Sequence, residues 1–348
     1  MLTMVPYTRD LILIGGGHAH ALVIKAWGMD PLPGARLTVI NPGPTAPYTG
    51  MLPGHVAGHY RCDELEIDLV RLCRHAGARL ILDKAVDINQ SRREVTLESR
   101  GTLAYDVASI DVGITAKLDL LGFADFGVGA KPLNMYAERW RSFLAQVIKG
   151  QSASDVAVIG GGIGGCELAM AMAFSLRSVG ISPRVTVIES GPQITGVGGK
   201  ARQRILMAMS GLGIVVKTYA TVVEVVADQV FLNGQEPVAA AFCVGAAGGR
   251  AHKWISQTTL PQRDGFIKIN NDLGVLGDQA LFAVGDCAVM NKGLLPKAGV
   301  FAVRAAPILY NNLRVALSGG RRKTWRPQKN HLKLISLGGQ SAIAEKFG

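Results

Sequence analysis

A strand, a glycine-rich turn, a helix and a second strand follow one another twice in this chain of 348 residues. The strands are rich in apolar residues, which is typical of strands buried in a parallel sheet. The first strand, the glycine-rich turn and the second strand are 11–14, 15–20 and 36–41 in the first copy, and 156–159, 160–165 and 184–189 in the second. In each copy the helix lies between the turn and the second strand. The copies lie much farther apart than the roughly 20–50 residues of solenoid repeats, so we predict two duplicated α/β domains.

The glycines of these turns indicate dinucleotide binding. In a strand–turn–helix unit, the first glycine allows the tight turn and the second lets backbone amides approach a pyrophosphate. The third lets the helix pack closely on the strand, and the helix N-terminus stabilises phosphate charge. Gly160, Gly162 and Gly165 occupy all three positions in the second copy. The alternative is a structural turn in an unrelated domain, but the flanking strands and helix favour a nucleotide site.

The two copies differ at positions that bear on ligand choice. The second copy ends on Glu189, where a carboxylate binds the ribose hydroxyls of an adenosine and repels a 2′-phosphate. We therefore predict NADH rather than NADPH at this site. The first copy has His20 at the third glycine position and Asn41 at the ribose position, which suits a permanently held dinucleotide. Because His18 and His20 alone are too few ligands for a metal ion, we predict that they belong to the pyrophosphate loop.

Composition excludes several other classes of protein. With 48% hydrophobic and 18% charged residues, the chain is globular. The longest charge-free apolar stretch, 237–249, is shorter than the about 20 residues of a membrane span, and the N-terminus does not resemble a secretory signal. Although the net charge is +11, basic residues cluster densely only at 321–326 and aromatic residues are scarce, so nucleic-acid binding is disfavoured. Five cysteines without CxxC spacing indicate a reducing, cytoplasmic compartment.

Three further segments, 105–113, 241–248 and 281–286, complete a set of ordered motifs that resembles the pyridine nucleotide-disulfide oxidoreductase superfamily. Within it, the chain is similar to type II NADH dehydrogenases and sulfide:quinone reductases. It is most similar to the flavoprotein that precedes selenide, water dikinase in some bacteria. The segments that carry this last resemblance are GGGHAHALVIKAWGMDPLPG, PYTGMLPGHVAGHY and LPKAGVFAVR.

The resemblance implies an α/β fold with two Rossmann-like domains. The FAD domain would be discontinuous, formed by 1–125 and 262–325, with the NAD domain inserted as 126–261. Residues 326–348 would begin a small C-terminal domain. Related enzymes usually continue into an amphipathic C-terminal helix that docks on a membrane, whereas this sequence stops at Gly348. Without that helix, we expect a soluble protein, or at most weak peripheral contact with the inner membrane face.

The resemblance also assigns cofactor-binding residues. The FAD site would comprise Gly15, Gly17 and His18 at the pyrophosphate, Asn41 and Val86 at the adenosine, Gly285 and Asp286 at the ribityl chain, and Tyr48 and Thr49 near the flavin ring. Gly113, after the strand that closes the first lobe, and Ala298, at the start of a later helix, are also assigned to this site. The NADH site would comprise Gly160, Gly162, Gly165 and Glu189. Tyr48 is equally consistent with an ordinary turn aromatic.

Two residues are candidates for a catalytic role by the same resemblance. Lys297 follows Pro296 at a predicted helix start, and the helix dipole with this charge would stabilise anionic reduced flavin. The alternative is a surface lysine. Glu167 follows the second glycine turn and matches a glutamate near the nicotinamide in type II NADH dehydrogenases. The alternative is a solvated glutamate that is favourable near a helix N-terminus.

The sequence departs from the related families in several places. The region of the disulfide reductases' cysteine pair, 41–61, contains no cysteine, so disulfide exchange is not expected. Gly299 and Val303 stand where type II NADH dehydrogenases carry two glutamines at the quinone site, which puts quinone as the acceptor in doubt. No metal is predicted, because His55, His59 and Cys62 lack an obvious fourth ligand.

The expected function is hydride transfer from NADH to FAD and then to a small-molecule electron acceptor that the sequence does not identify. One alternative is a flavin oxidoreductase for sulfur or selenium compounds, with NAD vestigial or replaced. Cys166 and Cys287 are candidates for thiols near the dinucleotides, but buried structural thiols are the commoner case. Another is a flavoprotein without catalysis that serves selenium metabolism. A homodimer and an association with selenide, water dikinase are further expectations.

Overall fold

The computed structural model describes residues 6–115, 118–291, 293 and 295–346, which divide into two compact units. The first unit comprises the described residues within 6–48, 66–114 and 250–328, and the second comprises those within 49–65, 115–249 and 329–346.

The helices of the described residues are α1 (His18–Met29), α2 (Leu52–Val56), α3 (Leu69–His75), α4 (Phe123–Phe126), α5 (Leu133–Ile148), α6 (Ile163–Ser178), α7 (Gly199–Gly211), α8 (Lys253–Ser256) and α9 (Gly299–Ser318). Short 3₁₀ turns span Thr49–Met51, Cys62–Leu65 and Gly285–Cys287.

The strands of the described residues are β1 (Arg9–Ile14), β2 (Ala35–Asn41), β3 (Thr45–Pro47), β4 (Glu66–Asp68), β5 (Arg79–Leu82), β6 (Ala85–Asn89), β7 (Glu94–Leu97), β8 (Gly101–Ala104), β9 (Val107–Ile110), β10 (Gly127–Gly129), β11 (Asp155–Ile159), β12 (Arg184–Ile188), β13 (Val215–Lys217), β14 (Val222–Val225), β15 (Gln229–Leu232), β16 (Gln235–Ala239), β17 (Phe242–Gly245), β18 (Gln262–Arg263), β19 (Phe266–Ile269), β20 (Leu281–Ala283), β21 (Ala288–Met290), β22 (Lys333–Ser336) and β23 (Ala342–Glu345).

Each unit is built on a five-stranded parallel sheet, which confirms the predicted fold class. The sheet of the first unit has the strand order β20-β9-β1-β2-β5, and that of the second has the order β10-β17-β11-β12-β13. The apolar runs that opened each sequence copy form the central strands, β1 and β11. Leu11, Ile12, Leu13 and Ile14 of β1 are at most 1% exposed, and each such side chain contributes about 1.5–3 kcal/mol through burial.

The duplication extends beyond the segments visible in the sequence. In both units the strand–helix–strand core continues through a helix and a third parallel strand into a three-stranded antiparallel sheet. This sheet is β6-β7-β8 in the first unit and β14-β15-β16 in the second. The chain then returns to the parallel sheet through β9 or β17, which pairs directly with the central strand.

The second unit includes two segments that the domain prediction had placed elsewhere, 49–65 and 329–346. Packing against α5 and α6 explains this assignment. In the first segment, the carbonyl of Val56 accepts a hydrogen bond from Nε1 of Trp140 at 3.3 Å. In the second, the amide of Ser336 donates to Oε1 of Glu167 at 2.8 Å. The predicted domain limits therefore differ from the division that the structure makes.

Candidate functional site

The first glycine turn lies at the carboxyl ends of β1 and β9, where the strand order of the sheet reverses direction. Ligands of open parallel sheets bind at this position. Gly15 has φ +91°, and a Cβ there would collide with the backbone carbonyl of Asp111. The amide of Gly16 donates to Oδ1 of Asn41 at 3.0 Å, so the predicted ribose residue also shapes the turn.

Asp111 fills the space beside this turn, although the sequence analysis did not select it as a site residue. Its Oδ2 accepts from the amides of Ala19 at 3.0 Å and His20 at 3.1 Å, in the first turn of α1. A Cβ on Gly17 would collide with the same carboxyl group. Burial raises the pKa of Asp111 to about 7; the two amide hydrogen bonds oppose this rise, and the charge of Asp286 adds to it.

Replacing Asp111 by asparagine should change how stability depends on pH. Because the folded-state pKa of Asp111 lies above the unfolded value near 4, the folded protein binds more protons, and stability falls as pH rises from about 4 to 7. Asp111→Asn removes this loss while keeping an acceptor for the two amides. The free energy of unfolding of the variant, minus that of the wild type, should therefore increase by roughly 2 kcal/mol as pH rises from about 5.5 to about 8.

Thermal unfolding of both proteins at the two pH values measures this gain. Asp87→Asn, an exposed substitution in the same unit, is the matched control. The same pH dependence in wild type and Asp111→Asn would contradict a buried, titrating Asp111.

His20 is fully buried at the third glycine position of the first motif. Its Nδ1 lies 2.7 Å from the carbonyl oxygen of Gly15, and its Nε2 lies 2.8 Å from Oγ of Ser109. Burial lowers the pKa of His20 to about 4, which the Gly15 contact opposes, so the ring is neutral at pH 7. Since a carbonyl only accepts, Nδ1 donates to Gly15 and Nε2 accepts from the Ser109 hydroxyl. His20 therefore connects the glycine turn to β9 through these two hydrogen bonds.

The other residues predicted for FAD are only partly brought together. Gly285 reaches the first turn, because a Cβ there would lie 2.5 Å from Oδ1 of Asp111. The ring of Tyr48 packs against His18 at 5.0 Å. Four predicted residues, Gly285, Asp286, Lys297 and Ala298, line one cavity of the first unit.

Three other predicted residues are not among those that line this cavity. Val86 lies in the antiparallel strand β6, and Gly113, with φ +69°, follows Asp111 by two positions. Thr49 belongs to the second unit, where it begins a 3₁₀ turn. The cofactor roles of these residues stay predictions.

Lys297 is held by the first unit itself. Its Nζ donates to the carbonyl of Ala288 at 2.7 Å and lies 3.9 Å from the ring centroid of Phe266. Desolvation lowers the pKa of Lys297, but the residue as a whole is exposed, so the surface-lysine alternative stays open. The helix starts at Gly299 rather than at Pro296, because Ala298 has extended backbone angles. It continues through Pro307 to its end at Ser318.

The second glycine turn repeats the geometry of the first. Gly160 has φ +114°, and a Cβ on Gly165 would collide with the carbonyl of Gly160. Oε2 of Glu189 accepts from the amide of Gly161 at 2.8 Å, as Asn41 does for Gly16. Both sequence-predicted ribose residues therefore contact the middle glycine of their own turn.

The two turns differ at the helix N-terminus. At α6 the N-cap is Gly162, which provides no side-chain cap. A Cβ on Gly164 would meet nothing within 4 Å, and one on Gly162 would meet only Oγ1 of Thr195 at 3.9 Å. This end of α6 therefore has room for a phosphate, whereas Asp111 caps the first turn of α1.

Glu167 lies one turn into α6 and is not a freely solvated glutamate. Its Oε1 accepts from the amide of Ser336 at 2.8 Å. Burial raises the pKa of Glu167 to about 7, against the opposing effect of that hydrogen bond. The carboxyl group therefore changes charge near neutral pH, which the sequence alone did not indicate.

All five cysteines lie in the described residues and are unpaired. Burial raises the pKa of both Cys166 and Cys287 to about 12, so neither is a thiolate at neutral pH. This environment does not favour thiolate chemistry at either turn. Within the described part of the chain, no helix is both long and apolar enough to span a bilayer.

Two five-stranded parallel sheets, each with a glycine turn leading into a helix, define a protein with two dinucleotide-binding folds. The family model described as pyridine nucleotide-disulphide oxidoreductase matches residues 9–306, and the chain belongs to this family.

Comparison with known proteins gives relatives of the same class. An NADH dehydrogenase-like protein of Mycobacterium tuberculosis is 30% identical over 224 residues, which cover 61% of this chain and 56% of that protein. A demethylphylloquinone reductase of Synechocystis is 29% identical over 217 residues, covering 59% of this chain and 52% of that protein. The chain thus spans about half the length of the curated relatives it matches.

Among solved structures, NDH2 of Plasmodium falciparum in complex with NADH has the same fold, with a TM-score of 0.85. The match is 15% identical and covers 97% of this chain and 90% of that one.

Proposed function

We propose that this chain binds FAD at the first glycine turn and NADH at the second, and passes electrons from NADH through the flavin to a small acceptor. The observation that carries this proposal is the duplicated turn geometry, with an asparagine at the first ribose position and Glu189 at the second. Membership of the pyridine nucleotide-disulphide oxidoreductase family supports it. The NADH dehydrogenase-like relative supports the choice of electron donor.

The residues of the first unit fit a dinucleotide at the first turn. Gly15 and Gly17 carry no side chain that would keep a pyrophosphate from the backbone of the turn, but the Asp111 carboxyl occupies the space beside Gly17 and uses the amides of Ala19 and His20. Asn41 donates both Nδ2 hydrogens to the carbonyls of Gly43 and Thr45, and its Oδ1 accepts from Gly16, so one acceptor position on Oδ1 remains for a ribose hydroxyl. When bound, flavin supplies the two-electron chemistry, accepting a hydride and delivering electrons onward.

The second turn fits NADH better than NADPH. Glu189 uses one carboxylate oxygen for the amide of Gly161 and the other for the amide of Gly191, at 2.7 Å. A carboxylate offers about four acceptor positions, so ribose hydroxyls still find partners. The same negative charge repels a 2′-phosphate.

Anaerobic mixing of the yellow holoprotein with NADH or NADPH tests the function. We expect NADH to bleach the flavin absorbance with a higher ratio of limiting rate to dissociation constant than NADPH. A protein that retains FAD but is reduced by neither nucleotide would contradict the proposal and favour a flavoprotein without this activity.

We also propose that Glu167 affects hydride transfer through its charge. As the hydride leaves, positive charge develops on the nicotinamide, and an anionic carboxylate nearby stabilises it. Because the pKa of Glu167 is raised to about 7, the carboxylate forms as pH rises through neutrality. The rate of flavin reduction at saturating NADH should then rise about threefold or more between about pH 6 and about pH 8.

Stopped-flow absorbance of Glu167→Gln checks this role. The variant should stay at the low-pH rate of the wild type across the whole range. Glu138→Gln, an exposed substitution on α5, is the control and should keep the wild-type profile. An unchanged profile in Glu167→Gln would remove Glu167 from the mechanism.

The identity of the electron acceptor is a separate proposal. The similarity to the demethylphylloquinone reductase of Synechocystis supports a quinone, whereas Gly299 and Val303 replace the expected glutamines. The motif resemblance to the flavoprotein preceding selenide, water dikinase supports a selenium compound or that enzyme as a partner. Reoxidation of reduced protein by ubiquinone analogues and by selenite distinguishes these acceptors, and a failure of quinones would exclude quinone reduction.

Assembly and localisation are also proposals: a homodimer, and a cytoplasmic protein with at most weak membrane contact. Sedimentation and flotation with anionic vesicles test them. A monomer, or tight vesicle binding, would contradict the corresponding proposal.

A further inference from the structure

The hairpin of β22 and β23, residues 333–345, packs onto the unit that contains the second glycine turn. Its strands pair in antiparallel register, from Lys333 opposite Glu345 to Ser336 opposite Ala342. A Cβ on Gly338 would lie 2.5 Å from the carbonyl oxygen of Met170 in α6, so the hairpin approaches that helix closely. The sequence analysis had treated this region only as the beginning of a further domain.

Two charged residues of the hairpin bind the loop that follows the ribose residue. Oε1 of Glu345 accepts from the amide of Gly198 at 2.5 Å, and Nζ of Lys333 donates to the carbonyl of Gly196 at 2.8 Å. The two side chains also pair with each other at 2.9 Å. Glu345 is 7% exposed, and its interactions lower its pKa, so the carboxylate is charged at neutral pH.

The loop held by these residues, 190–198, in turn contacts the second glycine turn. The amide of Thr195 donates to the carbonyl of Gly161 at 2.9 Å. A Cβ on Gly196 would lie 3.1 Å from Cγ1 of Ile163, the first residue of α6. Oε1 of Glu189 accepts from the amide of Gly191, at the beginning of the same loop. The loop thus connects the hairpin to Gly161 and to the ribose carboxylate.

We propose that Glu345 and Lys333 are positioning residues of the second dinucleotide site, which hold loop 190–198 against the glycine turn. This inference rests on the proposed function, since it takes NADH as the ligand of that site. Neither residue need touch the nucleotide. Each fixes backbone groups whose position determines how well the turn receives it.

The test compares Glu345→Ala, Glu345→Gln and Lys333→Met in the holoprotein. Glutamine keeps an oxygen that accepts from the amide of Gly198, so it should partly restore what alanine loses. We expect the dissociation constant of NADH, from the concentration dependence of anaerobic flavin reduction, to rise about fivefold or more in Glu345→Ala. Lys333→Met should raise it about threefold. The limiting rate and the FAD content should change less than about twofold.

Lys84→Met is the control, because Lys84 forms an exposed ion pair with Glu98 in the other unit, at 3.1 Å. It should leave NADH binding unchanged. Equal losses of FAD, limiting rate and NADH affinity in Glu345→Ala would indicate general destabilisation and overturn the proposal.

Hydrogen exchange of peptides covering 190–198 tests the same contacts without NADH. Faster exchange confined to this loop in Glu345→Ala supports the positioning role, even for a protein that NADH does not reduce. Unchanged exchange in the loop overturns the role, whatever the outcome for NADH reduction. The failure of this inference is therefore distinguishable from the failure of the proposed function.

Discussion

Gly15→Ala should yield a protein that no longer retains FAD through purification. The substitution adds a Cβ that collides with the backbone carbonyl of Asp111, at a residue whose φ of +91° already disfavours a side chain. Because the obstacle is backbone at the end of a buried strand, the turn must move rather than a side chain. Strain of roughly 3 kcal/mol corresponds to about a 100-fold loss of affinity. Absorbance of the purified protein and titration with FAD measure it.

The control separates collision from backbone strain. Gly277 has φ +82° in the same unit, but a Cβ there would meet nothing within 4 Å. Gly277→Ala should therefore retain FAD with only a small loss of stability. If Gly15→Ala binds FAD as tightly as Gly277→Ala does, the first turn is not the flavin site.

Gly165→Val should give a yellow protein that NADH reduces poorly. Its Cβ would collide with the carbonyl of Gly160 and lie 3.4 Å from the Cβ of Ala246. Helix α6 must then separate from the turn that precedes it, which moves the backbone amides expected to bind the pyrophosphate. Overpacking of about 1–3 kcal/mol predicts a dissociation constant for NADH raised about 5- to 150-fold.

Gly211→Val is the control for this substitution. Gly211 ends α7 in the same unit, and a Cβ there would meet nothing within 4 Å. FAD content should be equal in both variants, and only Gly165→Val should lose affinity for NADH. Loss of FAD from Gly165→Val, with unchanged NADH affinity in the remaining holoprotein, would contradict the assignment of the second turn.

The central strands and both glycine turns could be predicted from the sequence because their signals are local. An apolar run, a glycine turn and a helix adjoin one another in the chain, so periodicity and residue type are sufficient. The ribose residues Asn41 and Glu189 were also accessible, since each directly ends a recognisable strand. The structure adds that both contact the middle glycine of their turn.

Asp111 illustrates a signal that was present but not used. Asp111 directly follows the buried strand β9, and Asp286 follows β20 after two residues. Site residues collect at the carboxyl ends of parallel strands. The distinguishing property of Asp111, burial against the amides of Ala19 and His20, depends on residues about ninety positions away in the chain. No local pattern reports such a contact.

The hairpin contacts could not be predicted for the same reason. Glu345 and Gly198 are separated by 147 residues, and Ser336 and Glu167 by 169. The assignment of 49–65 to the second unit likewise depends on packing against α5. Sequence order placed both segments with their neighbours in the chain, whereas side-chain packing places them with the second sheet.

A count of the dinucleotides that one chain binds tests the two-site proposal. Extraction of FAD from one portion of the purified protein should give one FAD per chain. Anaerobic titration of another portion with NADH should consume one NADH per flavin reduced. A protein that cannot be loaded with FAD, or one whose FAD is displaced by NADH at a single shared site, would contradict it.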